Sequence, residues 1–251
     1  MPPLDGTASS AEQFPARTVA IWAALDPLVR AGGSLRVLDV GGGSGMFAVP
    51  LAELGHRVTV VDTSADALAT LDRRAENAGV GERVHAVQGD GDRLTDALPP
   101  DPGTAQFDLV LCHFLLEVVD DPASTLSEIA GVLRPGAPVS VAVANRAGAV
   151  LARALGGHPV EARALIEDRD PAPGRARPAQ RRFTPDELLQ LVGDAGLQPG
   201  SWRGVSVVAD LLGAASGADP AAVRALETTL AERSPYRDVA TGVHLLATRP
   251  A

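Results

Sequence analysis

Asp39, Gly41, Gly43 and Gly45 stand at alternate positions in Val37-Leu38-Asp39-Val40-Gly41-Gly42-Gly43-Ser44-Gly45, and a second acid, Asp62, ends the run Val58-Thr59-Val60-Val61. Glycines directly after a stretch of Val and Leu let the backbone turn tightly at the end of a strand, where any side chain would block a ligand. An acid at the tip of the next parallel strand then accepts hydrogen bonds from two ribose hydroxyls. The constellation calls for a nucleoside-bearing cofactor, with Asp62 as its ribose ligand.

Two ligands fit that description. Gly43-x-Gly45-x-x-Ala48 satisfies the G-x-G-x-x-A pattern of a dinucleotide site, in which a pyrophosphate meets a helix N-terminus. Read from Asp39 instead, an acid precedes three alternate glycines, leaving room for an amino acid moiety and a carboxylate for its ammonium. Asp39 then either receives that ammonium or orders the turn. Hydride transfer needs a nicotinamide site, whereas Gln88-Gly89-Asp90 offers a carboxylate or backbone groups to an adenine amino group.

Such residues need an alternating scaffold to position them. Apolar Phe14, Val19, Ile21, Trp22, Leu25, Leu28 and Val29 predict a helix over 11–31, stopped by Gly32 and Gly33. Strands at 35–40, 57–61 and 83–87, with helices at about 44–54 and 64–78, give the βαβαβ alternation of a parallel sheet covered on both faces. A fourth strand starts at 107 and breaks near Cys112 and His113; Asp121 and Pro122 open a helix, and 139–145 form a fifth strand. A short apolar helix at 147–155 leads into a Pro-, Gly- and Arg-rich stretch that reads as an insertion over the carboxyl edge of the sheet. Thr184, Pro185 and Glu187 make a capping box for a helix that stops at Gly196. A strand at 201–210, a helix at 219–233 and a strand at 242–250 then close the sheet with an antiparallel strand.

The expected fold is a doubly wound α/β domain with a mostly parallel, seven-stranded, Rossmann-like sheet. One domain spans 1–251: a helical extension at 1–34, a cofactor-binding core at 35–145, an insertion and helix at 146–200, and closing strands at 201–251.

Composition narrows the function. A chain of 251 residues, 45% hydrophobic, buries a full core. There is no apolar run of about 18 residues and no signal-peptide pattern at the N-terminus, so a cytoplasmic, membrane-independent protein is expected. The single Cys112 and the absence of zinc-type Cys/His spacing point away from disulfides and structural metal. A net charge of −9 disfavours broad capture of nucleic acid. All 22 Lys and Arg are arginine, which excludes a Walker loop and a pyridoxal Schiff base.

Phe107-Asp108-Leu109-Val110, His113, and Leu133-Arg134-Pro135-Gly136 complete the series begun at Asp39. Over about 35–145 the chain resembles the class I S-adenosylmethionine-dependent methyltransferases. From about Arg17 to Arg249 it is similar, in order, to the tRNA 5-carboxymethoxyuridine methyltransferase family, through FDLVLCHFLLEVVDDPASTL, the strand ending at Asn145, an arginine-rich insertion and LETTLAERSPYRDVATGVHLLATRP. Those enzymes turn a carboxylate on the wobble uridine into its methyl ester. The resemblance implies an S-adenosylmethionine cofactor contacted by Arg17, Gly41, Gly42, Asp62, Asp90, Gly91 and His113. The family's lysines in the insertion are arginines here, and Ser44 replaces an acid.

Several further residues have two possible roles. Arg17 pairs with the cofactor's carboxylate or is an exposed arginine; His113 touches cofactor or acceptor, serves as base for a hydroxyl, or packs beside Phe114. Glu117 and Asn145 face the acceptor or satisfy backbone groups, and Tyr236 lines the acceptor pocket or packs. Arg175, Arg177, Arg181 and Arg182 meet RNA phosphates or form a solvated loop, with few aromatics nearby for base stacking. The expected activity is methylation of a carboxylate or other oxygen, on a modified tRNA uridine or a small metabolite. A non-catalytic cofactor-binding module is the remaining alternative.

Overall fold

The computed structural model describes residues 14–98, 107–167, 181–212 and 217–251. Helix α1 (Val19–Val29) packs ahead of β1 (Arg36–Val40), and α2 (Ala48–Glu53) leads to β2 (Arg57–Asp62). Helix α3 (Ala65–Asn77) precedes β3 (Val84–Gln88), and α4 (Leu94–Ala97) precedes β4 (Leu109–His113). Then come α5 (Pro122–Val132), β5 (Pro138–Ala144), α6 (Arg146–Leu155), α7 (Pro159–Ile166), α8 (Pro185–Asp194), β6 (Gln198–Val205), α9 (Pro220–Leu230) and β7 (Gly242–Thr248).

The sheet order is β3-β2-β1-β4-β5-β7-β6, with β7 antiparallel to both neighbours and the other pairings parallel. The chain winds outward from β1 to β3 and returns at β4. The crevice at the carboxyl ends of β1 and β4 is therefore the switch point where ligands bind in open α/β sheets.

Side-chain alternation divides the core. Leu38, Val40, Val110 and Cys112 face a cluster with Leu126, Ile129 and Leu188, while Val37, Leu109 and Leu111 face one with Trp22, Leu25, Phe47 and Leu71. Both faces of β1 and β4 are buried, hence the near-continuous Val and Leu in those strands. Asp39 falls on the Val37 face, so its carboxyl enters the core.

Local signals fix several ends. Asp121 accepts from the N–H groups of Ala123 and Ser124, and the Thr184–Glu187 capping box is present in both directions. Three expectations shift. Helix α1 begins at Val19 instead of residue 11, leaving Arg17 before it. Strand β6 ends at Val205 because the buried Glu227 carboxylate of α9 takes the N–H groups of Val207, Val208 and Ala209, drawing them out of the ladder. Helix α7 lies inside the stretch read as irregular insertion.

Helix α6 follows the carboxyl end of β5 and is seated through Gly148, where a Cβ would run into the backbone carbonyl of Ala240. Gly148→Ala is expected to lower stability by roughly 1–3 kcal/mol, seen as a lower midpoint in urea, because backbone must move on one side of the contact.

Candidate active site

The turn from Gly41 to Phe47 is built by neighbouring strands. The Gly41 N–H donates to the Val61 carbonyl at 2.7 Å. Asp62, at the tip of β2, accepts from Gly43 N–H through Oδ2 (2.9 Å) and from Ser64 N–H through Oδ1 (2.8 Å). One carboxylate thus ties the glycine turn to the cap of α3, and each oxygen keeps a lone pair for a hydroxyl. A Cβ on Gly42 would lie 2.5 Å from Asp39 Oδ2 and 2.9 Å from Val60 Cγ1, so only glycine lets the turn cross the buried acid. A Cβ on Gly45 would strike Leu71 of α3.

Asp39 is 2% exposed, and its Oδ2 is buried without a hydrogen-bond partner. Burial, followed by the nearby Asp62, pushes its pKa up to about 7. A buried acid so placed fits a cationic ligand group.

Beside the turn lies a cleft of about 190 Å³ lined by Gly41, Asp62, Asp90, Gly91, Asp92, Leu115, Asp120 and their neighbours. Its lining holds four aspartates and no basic side chain. That balance repels a pyrophosphate and favours a cation, which decides against the dinucleotide reading. Asp90 Oδ1 accepts from Asp92 N–H at 3.1 Å, holding the turn at Gly91, and Asp92 receives the hydroxyl of Thr125.

Of the expected cofactor residues, the structure brings Gly41, Asp62, Asp90 and Gly91 to this cleft, with Asp39, Gly42, Gly43 and Gly45 in or under the turn. It also brings residues not foreseen: Thr63, Gly89, Asp92, Leu115, Val118, Val119 and Asp120. A Cβ on Gly41 or Gly91 would meet Leu115, which therefore packs against both. Nothing in the largely apolar stretch Phe114 to Val119 marks Leu115 as the residue turned toward the glycines.

Arg17 is placed differently from expectation. Its Nε pairs with Asp210 at 2.7 Å, and Asp210 also accepts from Thr241 Oγ1, so this guanidinium joins the start of the chain to the loop after β6.

At the ends of β4 and β5 the expected acceptor-side residues His113 and Asn145 are engaged within the protein. Ser140 Oγ stands 2.8 Å from both His113 Nε2 and His244 Nε2. One hydroxyl proton serves one imidazole, so the other ring must donate its own Nε2–H to the oxygen. Burial pushes the His113 pKa down to about 3, and its Nδ1 is buried without a partner. A ring so neutral, with Nε2 engaged, is not a base for a hydroxyl. It packs edge-on to Phe47, at a ring-centroid distance of 4.5 Å, instead of beside Phe114.

Asn145 is fully buried and spent on structure. Its amide donates to the carbonyls of Asp238 (3.1 Å) and Ala240 (2.8 Å), while its oxygen caps α6 at Ala147 N–H (3.2 Å). Asn145 therefore joins the start of α6 to the backbone of residues 238–240. Tyr236 is half exposed, just before the turn at 237–239.

Glu117 is 5% exposed; Oε1 accepts from Ala144 N–H, Oε2 is buried without a partner, and burial raises its pKa. Arg181 is not a phosphate contact here. Its guanidinium donates to the carbonyls of Val119 and Asp120, pinning the loop after β4. The half-buried Arg182 guanidinium lies within electrostatic reach of Glu117 and Arg153, with desolvation lowering its pKa. Arg175 and Arg177 lie outside the described residues.

The doubly wound sheet, the glycine turn with Asp62, and the acidic cleft define a nucleotide-fold enzyme for a cationic cofactor. Residues 38–141 match the methyltransferase domain family. The chain belongs to the class I S-adenosylmethionine-dependent methyltransferases, and S-adenosylmethionine is its cofactor. It is 29% identical over 244 residues to the tRNA 5-carboxymethoxyuridine methyltransferase of Escherichia coli, covering 93% of this chain and 88% of that one. It is 32% identical over 186 residues to the ubiquinone biosynthesis O-methyltransferase of Xanthomonas axonopodis pv. citri, covering 73% and 69%. The fold is shared with magnesium protoporphyrin IX methyltransferase of Synechocystis PCC 6803 with bound SAH, at a TM-score of 0.59 and 16% identity over 99% of this chain and 90% of that one.

Proposed function

We propose that this methyltransferase esterifies a carboxylate carried on a ring acceptor, with a modified tRNA uridine as the substrate class. The observation that carries it is coverage. The similarity to the tRNA enzyme spans 93% of the chain, through the acceptor side, whereas that to the ubiquinone-pathway enzyme spans 73%.

When bound, S-adenosylmethionine supplies an electrophilic methyl group on a sulfonium. Asp62 holds the ribose, Asp39 meets the ammonium, and Asp90 with Gly91 receives the adenine. The chain's remaining task is to hold the acceptor oxygen in line and keep water out. An ionised carboxylate needs no base, in keeping with the neutral, engaged His113. Arg182, drawn partly out of water, supplies the positive charge that such an acceptor needs. Among the described residues no helix is long and apolar enough to cross a membrane.

A second reading rests on Glu117. A buried carboxyl with a raised pKa and a vacant Oε2 suits a base for a hydroxyl, as in an O-methyltransferase. Incubation with methyl-labelled cofactor and fractionated RNA and metabolite pools separates the two. Label in tRNA, retained by Glu117→Gln at a tenth or more of the wild-type rate, supports the carboxylate reading; label only in metabolites, lost in Glu117→Gln by about a hundredfold or more, supports the hydroxyl reading.

A further inference from the structure

We propose that Phe114 is the platform on which a planar acceptor stacks, a specificity-determining residue at the carboxyl end of β4. The inference rests on the acceptor side assigned above and names the kind of ring it takes.

Phe114 has φ 54°, in the left-handed region that bulky side chains rarely adopt. Its N–H donates to Ala142 O at 2.7 Å, adding one rung to the β4–β5 ladder before the chain turns. Glycine would take this conformation without strain. Phe114 is 44% exposed, so burial offsets the strain only in part. An exposed Phe alone means little, and a strained backbone alone has many causes. Together, at a switch point, they indicate a side chain kept for contact with something else.

Its direction identifies that partner. Leu115 packs on Gly41 and Gly91, the cofactor side, whereas a Cβ on Gly242 would lie 3.4 Å from Phe114 Cε1, at the start of β7. Consecutive side chains therefore part around the end of β4, one toward the cofactor cleft and one toward β7. The same short stretch carries two buried polar atoms without partners, His113 Nδ1 and Glu117 Oε2. A partly exposed π surface at this position suits a planar ring, either a pyrimidine base or an oxygenated aromatic ring.

The test uses Phe114→Gly, Phe114→Leu and Phe114→Tyr in the full chain. Phe114→Gly should match or exceed wild type in Tm and keep its affinity for S-adenosylhomocysteine, while KM for the acceptor pool that takes label rises about tenfold or more. Phe114→Leu should show the same KM rise and Phe114→Tyr should restore it. Phe114→Trp adds a readout independent of turnover: its emission in excess of the wild-type signal from Trp22 and Trp202 should be quenched by 5-carboxymethoxyuridine or by a catechol, whichever matches the acceptor, and not by an acyclic carboxylate. A Phe114→Gly protein with lowered Tm and unchanged KM, or emission that no ring compound quenches, overturns the proposal. Quenching by a ring with no label transferred from wild type would instead count against the methyl-transfer reading of this side.

Discussion

Asp62→Ala is expected to weaken S-adenosylmethionine binding by about a hundredfold or more, measured by calorimetry, with the sheet still folded. Two losses act together. The carboxylate proposed to hold the ribose hydroxyls is removed, and the N–H groups of Gly43 and Ser64 lose the acceptor that aligns turn and helix. Hydrogen bonds to a charged group are each worth about 1.5–3 kcal/mol, and a hundredfold is about 3 kcal/mol, so losing ribose contacts alone reaches this size. Asp62→Asn keeps an oxygen for one backbone donor and should fall between. Retained affinity in Asp62→Ala would mean that the ribose is held elsewhere.

The second large effect belongs to Asp39 and appears as a pH dependence. Its pKa is raised from 3.8 to about 7 in the folded protein, so the folded state binds this proton more tightly than the unfolded state. Stability from this group is therefore greatest below pH 4, falls as pH rises toward 7, and stays low above it. Three units correspond to about 4 kcal/mol. Other carboxylates add slopes of their own, so the expected observation is a difference: Asp39→Asn should remove this loss when urea titrations at pH 5 and pH 8 are compared with wild type. A cationic cofactor group favours the ionised form. Binding near pH 6 should then release close to one proton, read from calorimetric enthalpies in buffers of different ionisation enthalpy, and Asp39→Asn should abolish the release.

The glycine turn and the acids around it were legible because their demands fall on the backbone. Strands must be apolar on both faces, the turn must be glycine, and an acid must stand at a strand tip; each leaves a local mark at Asp39, Gly41 to Gly45 and Asp62. Element order and the antiparallel closing strand were readable for the same reason. The wall of the cleft was not. Leu115, Val118 and Val119 sit in a largely apolar stretch, and the reversal that turns Leu115 toward Gly41 follows from a left-handed Phe114 that no spacing announces.

The acceptor residues, and Arg17 among the cofactor residues, misled for a different reason. Asn145, Arg17 and Arg181 have chemically capable side chains whose partners lie far along the chain: Asp238 and Ala240, Asp210, and Val119 with Asp120. A polar side chain is spent or available according to tertiary contacts, and those are not local. His113 shows the same limit, since Ser140 and His244 come from the neighbouring strand β5 and the antiparallel β7. The end of β6 was missed because Glu227, on a helix that follows, claims the backbone of 207–209.

The most direct test of the account is the chemistry of the bond formed. Labelled methyl transferred by the wild-type protein to tRNA should be released as volatile methanol by mild alkali, as an ester requires. Label that survives alkali, as an ether or N-methyl group would, contradicts a carboxylate acceptor.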